Sequence, residues 1–341
     1  MDPRTRRCLA ASLALALAGC VGTASPSQPA ASSSSATPAP TTASSPVLPS
    51  PIPSPTPIAG LPFLGTLAYN RNLVDGKFDT YRIFTMPASG GEGTQLLETE
   101  GEQARWSADG TRLSVLGEGP QGLIFVGFVD RDGTNYVRLD SPDHTLNLGC
   151  GAWSQDAATF ACEAWDDQTP GRAGLYTVAA DGTGLVRVTT APEGRQDAPC
   201  DFSPDGTRIA FVRLGLADEL HNELMIVNRD GTDEHKLIDE FVKGGCRWSP
   251  VTSRLVAVGE AGILVLKMTD AQPTATLLPL NVPAGASFSH PGWSPDGAHL
   301  VLSVRTERHP WDIWIANRDG SGATQVTDTP GIDEEVESWG P

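Results

Sequence analysis

Among its 341 residues the sequence has no Gly-x-Ser-x-Gly, no His-Glu-x-x-His, no Cys-x-x-Cys and no phosphate-binding glycine loop. Those absences remove the nucleophile elbow, the helix-borne metal site and the P-loop as sources of chemistry. The six histidines, at 144, 221, 235, 290, 299 and 309, are too scattered to supply a metal-ligand spacing. Positive charge is scarce: 24 Lys and Arg stand against 41 Asp and Glu, a net charge of −17. Nucleic acid, itself a polyanion, is therefore excluded as a partner. From Val21 to Leu61 there is no charged residue at all. No cofactor signature is found.

The first residues carry an address. Arg4, Arg6 and Arg7 precede an apolar run from Leu9 to Ala18, the order of a secretory signal and too short to span a bilayer. The run ends in Leu17-Ala18-Gly19-Cys20. This resembles a bacterial lipobox, which implies cleavage before Cys20 and a diacylglycerol anchor on that residue. Residues 1–19 are then the lipoprotein signal peptide. Residues 20–61, rich in Ser, Pro, Ala and Thr, cannot bury a core and are expected to be a disordered tether. Some 40 residues reach roughly 120 Å if extended as polyproline and roughly 35 Å as a flexible coil.

Residues 62–341 are a repeat array. An aromatic residue followed by Ser-Pro-Asp-Gly and an alternating apolar run recurs at Phe202 (FSPDGTRIAFV) and Trp293 (WSPDGAHLVLS). Altered copies start at Trp106, Trp153 and Trp248, and a sixth begins with Trp339-Gly340-Pro341. The steps are 47, 49, 46, 45 and 46 residues, a period of propellers and solenoids. Ser-Pro-Asp-Gly favours a type I turn, so one strand ends at the aromatic and the next returns through the apolar run. A second hairpin follows in each unit, as in Glu223 to Val227 and His235 to Ile238 around Asn228-Arg229-Asp230-Gly231. Asp130 to Gly133 and Asn228 to Gly231 have the look of calcium loops but lack the bidentate Glu, and are read as hairpin turns.

Four antiparallel strands per repeat make a propeller blade. Gly65 to Tyr69 aligns with Gly206 to Phe211 but has no aromatic-Ser-Pro strand before it, and the strand at Trp339 has no returning strand after it. The two ends complement each other. The sequence therefore predicts an all-β, six-bladed β-propeller, closed by an N-terminal and a C-terminal strand in one blade. The aromatic-Ser-Pro-Asp-Gly phrase resembles the WD40-like repeat of TolB-type propellers over essentially all of the chain after the tether. That resemblance implies the fold and leaves function open, since related repeats occur in prolyl-oligopeptidase-like enzymes and oligogalacturonate lyases.

Cys150, Cys162, Cys200 and Cys246 remain beside Cys20 once the signal is removed. In an exported chain four cysteines suggest two disulfides, with three possible pairings and a zinc site as rival. Cys150 and Cys162 fall opposite each other on one hairpin, and Cys200 and Cys246 share one repeat position on neighbouring innermost strands, which favours 150 with 162 and 200 with 246.

Loss of the signal, with three arginines and one aspartate, takes the net charge to −19. The connections between blades hold Glu98, Glu100, Glu102, Asp140, Asp143, Glu193, Asp197, Asp239, Glu240, Asp328, Asp333, Glu334, Glu335 and Glu337 against Arg195 and Lys243. These are expected to form one acidic face, either solvated or steering a basic partner. Glu102, Arg105, Asp197, Arg247, His290, Glu334, Glu335 and Glu337 are the candidate channel-mouth residues. The repeated tryptophans are expected in inter-blade packing. No base and nucleophile pair is recognisable, so the favoured function is a non-enzymatic protein-binding or scaffolding lipoprotein, a monomeric propeller held outside the cytoplasm on a bacterial membrane by lipid alone. The alternatives are a glycan or small-ligand binder using the channel, and a lyase or hydrolase.

Overall fold

The computed structural model describes residues 60–72, 81–97, 101–118, 123–139, 141, 145–216, 222–240, 242–269, 273–307 and 310–341. Cys20, the signal peptide, the tether up to Ala59, and Glu98, Glu100, Asp140 and Asp143 lie outside the described residues. Six four-stranded antiparallel sheets form the ring. We number the blades I to VI. Their innermost strands are Glu334–Gly340 (I), Glu102–Trp106 (II), Asn147–Trp153 (III), Arg195–Phe202 (IV), Val242–Trp248 (V) and Ser287–Trp293 (VI).

Blade I is assembled from both ends of the chain. Glu334–Gly340 pairs with Thr66–Asn72, which pairs in turn with Tyr81–Pro87 and then Thr94–Gln95. Leu67 faces Trp339 and Arg71 faces Glu334 in this register. The outermost strands are only two or three residues long, which leaves little free edge for another chain to pair with.

Burial explains why the aromatic recurs. The apolar core divides into six clusters, each shared by two neighbouring blades. The aromatic at the end of each innermost strand packs towards the preceding blade: Trp106 against Ala68 and Ile83 of blade I, Trp153 against Phe128 of blade II. Two of these indoles also hydrogen-bond across the seam, Trp153 Nε1 to Arg105 O at 3.2 Å and Trp293 Nε1 to Arg247 O at 3.1 Å. All five repeat tryptophans are at least nine-tenths buried, in keeping with inter-blade packing, although each also contributes to the wall of the central funnel.

The Ser-Pro-Asp-Gly turns repeat at atomic detail. Ser107, Ser154, Ser203 and Ser294 each donate from Oγ to the aspartate two residues on, at 2.5–2.6 Å. The same carboxylate accepts the backbone N–H of residues 111, 158, 207 and 298. Gly110, Gly206 and Gly297 then take φ of 64 to 69°, where blade III has Ala157 at 53°, a conformation that strains a side chain. In blade V, where Val251 replaces the aspartate, Thr252 bonds Ser249 Oγ instead.

Cysteine pairing follows the expected scheme. Cys150 and Cys162 are bonded across one hairpin, and Cys200 and Cys246 join the innermost strands of blades IV and V.

Candidate functional site

The central channel is shaped by irregular strands. Every innermost strand breaks register with its neighbour shortly before its aromatic residue: between Glu102 and Arg105, Cys150 and Ala152, Pro199 and Asp201, Gly244 and Cys246, Ser289 and Gly292, and opposite Ala68/Tyr69. A β-bulge turns the following side chain to a new direction. Gln103, Gly245 and His290, each three residues before the aromatic, have φ of 53, 63 and 46°. Glycine suits that region, whereas His290 occupies it at a steric penalty.

Beyond the bulges the channel widens into a funnel of about 180 Å³ that opens among the Ser-Pro-Asp-Gly turns. All six blades line it. The residue just before each aromatic contributes to its wall: Arg105, Ala152, Asp201, Arg247, Gly292 and Ser338. Arg105 donates to Glu337 O, and its Nη2 lies 3.8 Å from Glu337 Oε2. Arg247 Nη1 donates to Cys200 O at 2.8 Å and Cys246 O at 2.6 Å, bracing the seam that the second disulfide crosses. Asp201 Oδ2 accepts from Trp248 N at 3.3 Å.

Deeper in the channel lie Glu102, Ser289, His290, Glu335 and Glu337. His290 Nδ1 is 3.2 Å from Glu335 Oε2, which also accepts from Ser289 Oγ at 3.1 Å. Asn70 Nδ2 donates to Glu337 Oε1 at 3.0 Å, and Glu337 Oε2 is buried without a hydrogen bond. Burial, with repulsion from Glu337 and Glu335, pushes the Glu102 carboxyl up to about 7. Burial raises Asp201 to about 7 against the pull of Arg105, and raises Glu337 against His290 and Arg105. His290 is disfavoured as a cation by burial, but Glu337 and Glu335 outweigh this and its pKa is raised.

The channel-mouth set is thus divided. Glu102, Arg105, Glu335, Glu337 and His290 come together, and Arg247 stands across the funnel. Asp197 and Glu334 lie elsewhere, buried between blades. Asp197 holds Arg213 through Nε at 2.7 Å and Nη2 at 2.8 Å, and accepts from Thr189 Oγ1 at 2.6 Å. Glu334 holds Arg71 through Nε at 2.9 Å and accepts from Thr329 Oγ1 at 2.9 Å. The expected acidic face is corrected accordingly: Asp197, Glu334, Glu335 and Glu337 are interior, while Glu193, Asp239, Glu240 and Asp328 are exposed. Desolvating a carboxylate is costly unless a cation or donors meet it, and here arginine, histidine and hydroxyl groups from other strands do. Asp201 is the funnel residue that the sequence reading missed. Its offset before Phe202, matching Arg105 before Trp106 and Arg247 before Trp248, was the available signal.

No protein-family model and no curated protein matches the sequence. Among solved structures the ring is similar to TolB from Acinetobacter baumannii, with a TM-score of 0.63 and 14% identity over 81% of this chain and 67% of that one. The fold is that of a TolB-like six-bladed β-propeller. The same TolB-like ring matches hydrazine synthase of Kuenenia stuttgartiensis at a TM-score of 0.56 and 12% identity, and a puromycin hydrolase at 0.51 and 14%. This chain covers 80% and 82% of itself in those two matches but less than half of either partner, 46% and 49%. At such identities the TolB-like propeller defines architecture, and function has to be argued from the site.

The buried acids make stability depend on pH. Burial raises Glu163 to about 8 and, with the charges of Glu334 and Asp328, Asp312 to about 7. Glu102 and Asp201 behave alike. A carboxyl raised on folding contributes stability that is whole below its unfolded pKa and is lost as pH rises through the folded value. The turn aspartates have the opposite sign: Asp205, lowered to about 2 by Ser203 and Thr207, loses its contribution only as pH falls towards that value. The melting temperature is therefore expected to peak near about pH 5 and to fall steadily up to about pH 8. Thermal melts across that range check this, and a melting temperature rising from pH 5 to 8 would contradict it.

Proposed function

We propose that this chain is a lipid-anchored, extracytoplasmic docking module that binds a protein partner at the funnel face of its TolB-like propeller and catalyses no reaction. The observation that carries the reading is the funnel itself, a depression of mixed polar and apolar lining to which all six blades contribute and whose walls are fixed by inter-blade hydrogen bonds and a disulfide. Two disulfides fit an oxidising compartment, and Leu17-Ala18-Gly19-Cys20 supplies the anchor.

The chain also enters the ring on this face. Leu61 N donates to Ser89 O, Phe63 packs edge-on against Trp339, and Trp339 Nε1 donates to Leu64 O at 2.9 Å. Chemistry is disfavoured by the arrangement at His290. Ser289 Oγ and Glu335 Oε2 both meet the same ring nitrogen, Nδ1, at 3.2 Å. A carboxylate-to-imidazole-to-hydroxyl relay needs the two on opposite nitrogens.

Gln155 and Ala108 are exposed on the funnel rim, and Val186 is exposed on an outermost strand. A photo-crosslinking residue at either rim position is expected to capture one dominant protein in cells, and the same residue at Val186 to capture none. Capture at Val186 with none at the rim would refute funnel docking. Cys20→Ser is expected to release the protein from the membrane fraction, and unchanged partitioning would refute the anchor.

A further inference from the structure

The charges in the funnel wall are unequally matched. Arg105 has Glu337 beside it and Asp201 within electrostatic reach. Arg247 has no carboxylate within ion-pair distance among the described residues, and only its Nη1 is engaged, by two backbone carbonyls. The Nε–H and Nη2–H edge of Arg247 is left over, the edge that grips a carboxylate with two parallel hydrogen bonds. Arginine keeps its charge in any protein environment, so this half-buried guanidinium is free to receive an anion in place of water.

The ring geometry places that edge usefully. Arg247 belongs to blade V and Arg105 to blade II, three blades apart in a ring of six and hence on opposite walls. The wall positions contributed by blades I, III and VI are Ser338, Ala152 and Gly292, small residues that leave room for an entering group. Resting on the docking role proposed above, we infer that the funnel recognises a carboxylate side chain of an acidic segment in the partner, received by Arg247. Exposed aspartates also stand on the turns among which the funnel opens, Asp109, Asp156, Asp205 and Asp296, so the preference for a carboxylate rests on Arg247 inside the funnel and not on the charge of the face as a whole.

The test uses the full mature chain and an N-acetylated, C-amidated hexapeptide with two central glutamates, beside its diglutamine counterpart and inorganic phosphate. Calorimetric titration at low salt is expected to show the diglutamate peptide binding at least about tenfold more tightly than the diglutamine peptide, with the difference shrinking as salt rises. Arg247→Gln is expected to abolish that preference and Arg247→Lys to restore part of it, since lysine keeps the charge without the fork. Because Arg247 also braces the blade IV and V seam, Gln155→Glu serves as a second variant: it adds a negative charge at the exposed rim and is expected to weaken the diglutamate peptide selectively. Equal affinity for both peptides, an unchanged preference in Arg247→Gln and Gln155→Glu, or saturation by phosphate alone overturns the inference. If rim crosslinking to a partner persists in Arg247→Gln, the docking role survives without the carboxylate. If rim crosslinking is absent in the unaltered protein, the docking role itself fails.

Discussion

Removing Glu337 to Pro341 is expected to lower the melting temperature by at least about 10 °C, or to abolish a cooperative transition. The deletion takes away Trp339, which fills the seam between blades VI and I, and a large buried aromatic alone is worth about 3–5 kcal/mol. It also strips the pairing of Thr66, Leu67 and Ala68 with Gly340, Trp339 and Ser338, and with Ser338 goes the Oγ that donates to Ala104 O at 2.8 Å in blade II. Blade I would keep only Glu334 to Val336 of its inner strand, and the seams with blades VI and II would lose the packing of its second half. The whole stability of a domain is about 5–15 kcal/mol, so the loss is a large fraction of it. Scanning calorimetry of the truncated chain checks this, and a melt that matches the intact protein would mean that the ring does not depend on its closure.

The second large effect is expected at the two interior arginines. Arg71 with Glu334 and Arg213 with Asp197 occupy equivalent places in blades I and IV, and each carboxylate is wholly buried. Arg71→Met or Arg213→Met leaves a buried, unpaired carboxylate and is expected to destabilise by about 3–5 kcal/mol. The double replacement Arg71→Met with Glu334→Met is expected to recover most of that, because the penalty comes from the abandoned charge more than from the lost attraction. Arg112→Met serves as contrast: it and its partner Asp130 are partly open to water, with side chains 53% and 34% exposed, and the expected change is below about 1 kcal/mol. Denaturant midpoints at fixed pH measure all four. A small loss in the single interior variants would show that water reaches these pairs.

These two cases also show where sequence reading succeeds and where it stops. The blades were legible because they rest on local chemistry at fixed offsets: an aromatic before the turn, Ser and Asp closing four of the turns, and glycine at the left-handed position in three of those. The split blade and both disulfides followed from the same register, since Cys200 and Cys246 each stand two residues before an aromatic. The acids were misread because their surroundings come from other strands. Glu334 is 263 residues from Arg71, and nothing near it announces a partner. The clue was a matched pair of offsets: Asp197 and Glu334 each five residues before an aromatic, Arg213 and Arg71 each two after Phe211 and Tyr69. The channel set was blurred for a different reason. A bulge in an innermost strand shifts the in-out alternation, so in Arg195–Phe202 parity counted from the strand start fails between Pro199 and Asp201, and Asp201 was missed.

Strand Thr66–Asn72 lies between two others, not at an edge, and the residues ahead of it leave along the funnel face past Trp339. Tension applied through the N-terminal segment therefore acts along a strand clamped on both flanks, where the hydrogen bonds on the two sides resist together instead of opening one after another. The blade that joins the two ends of the chain is thus also the ring's mechanical clasp, placed where a pull on the N-terminal segment would arrive.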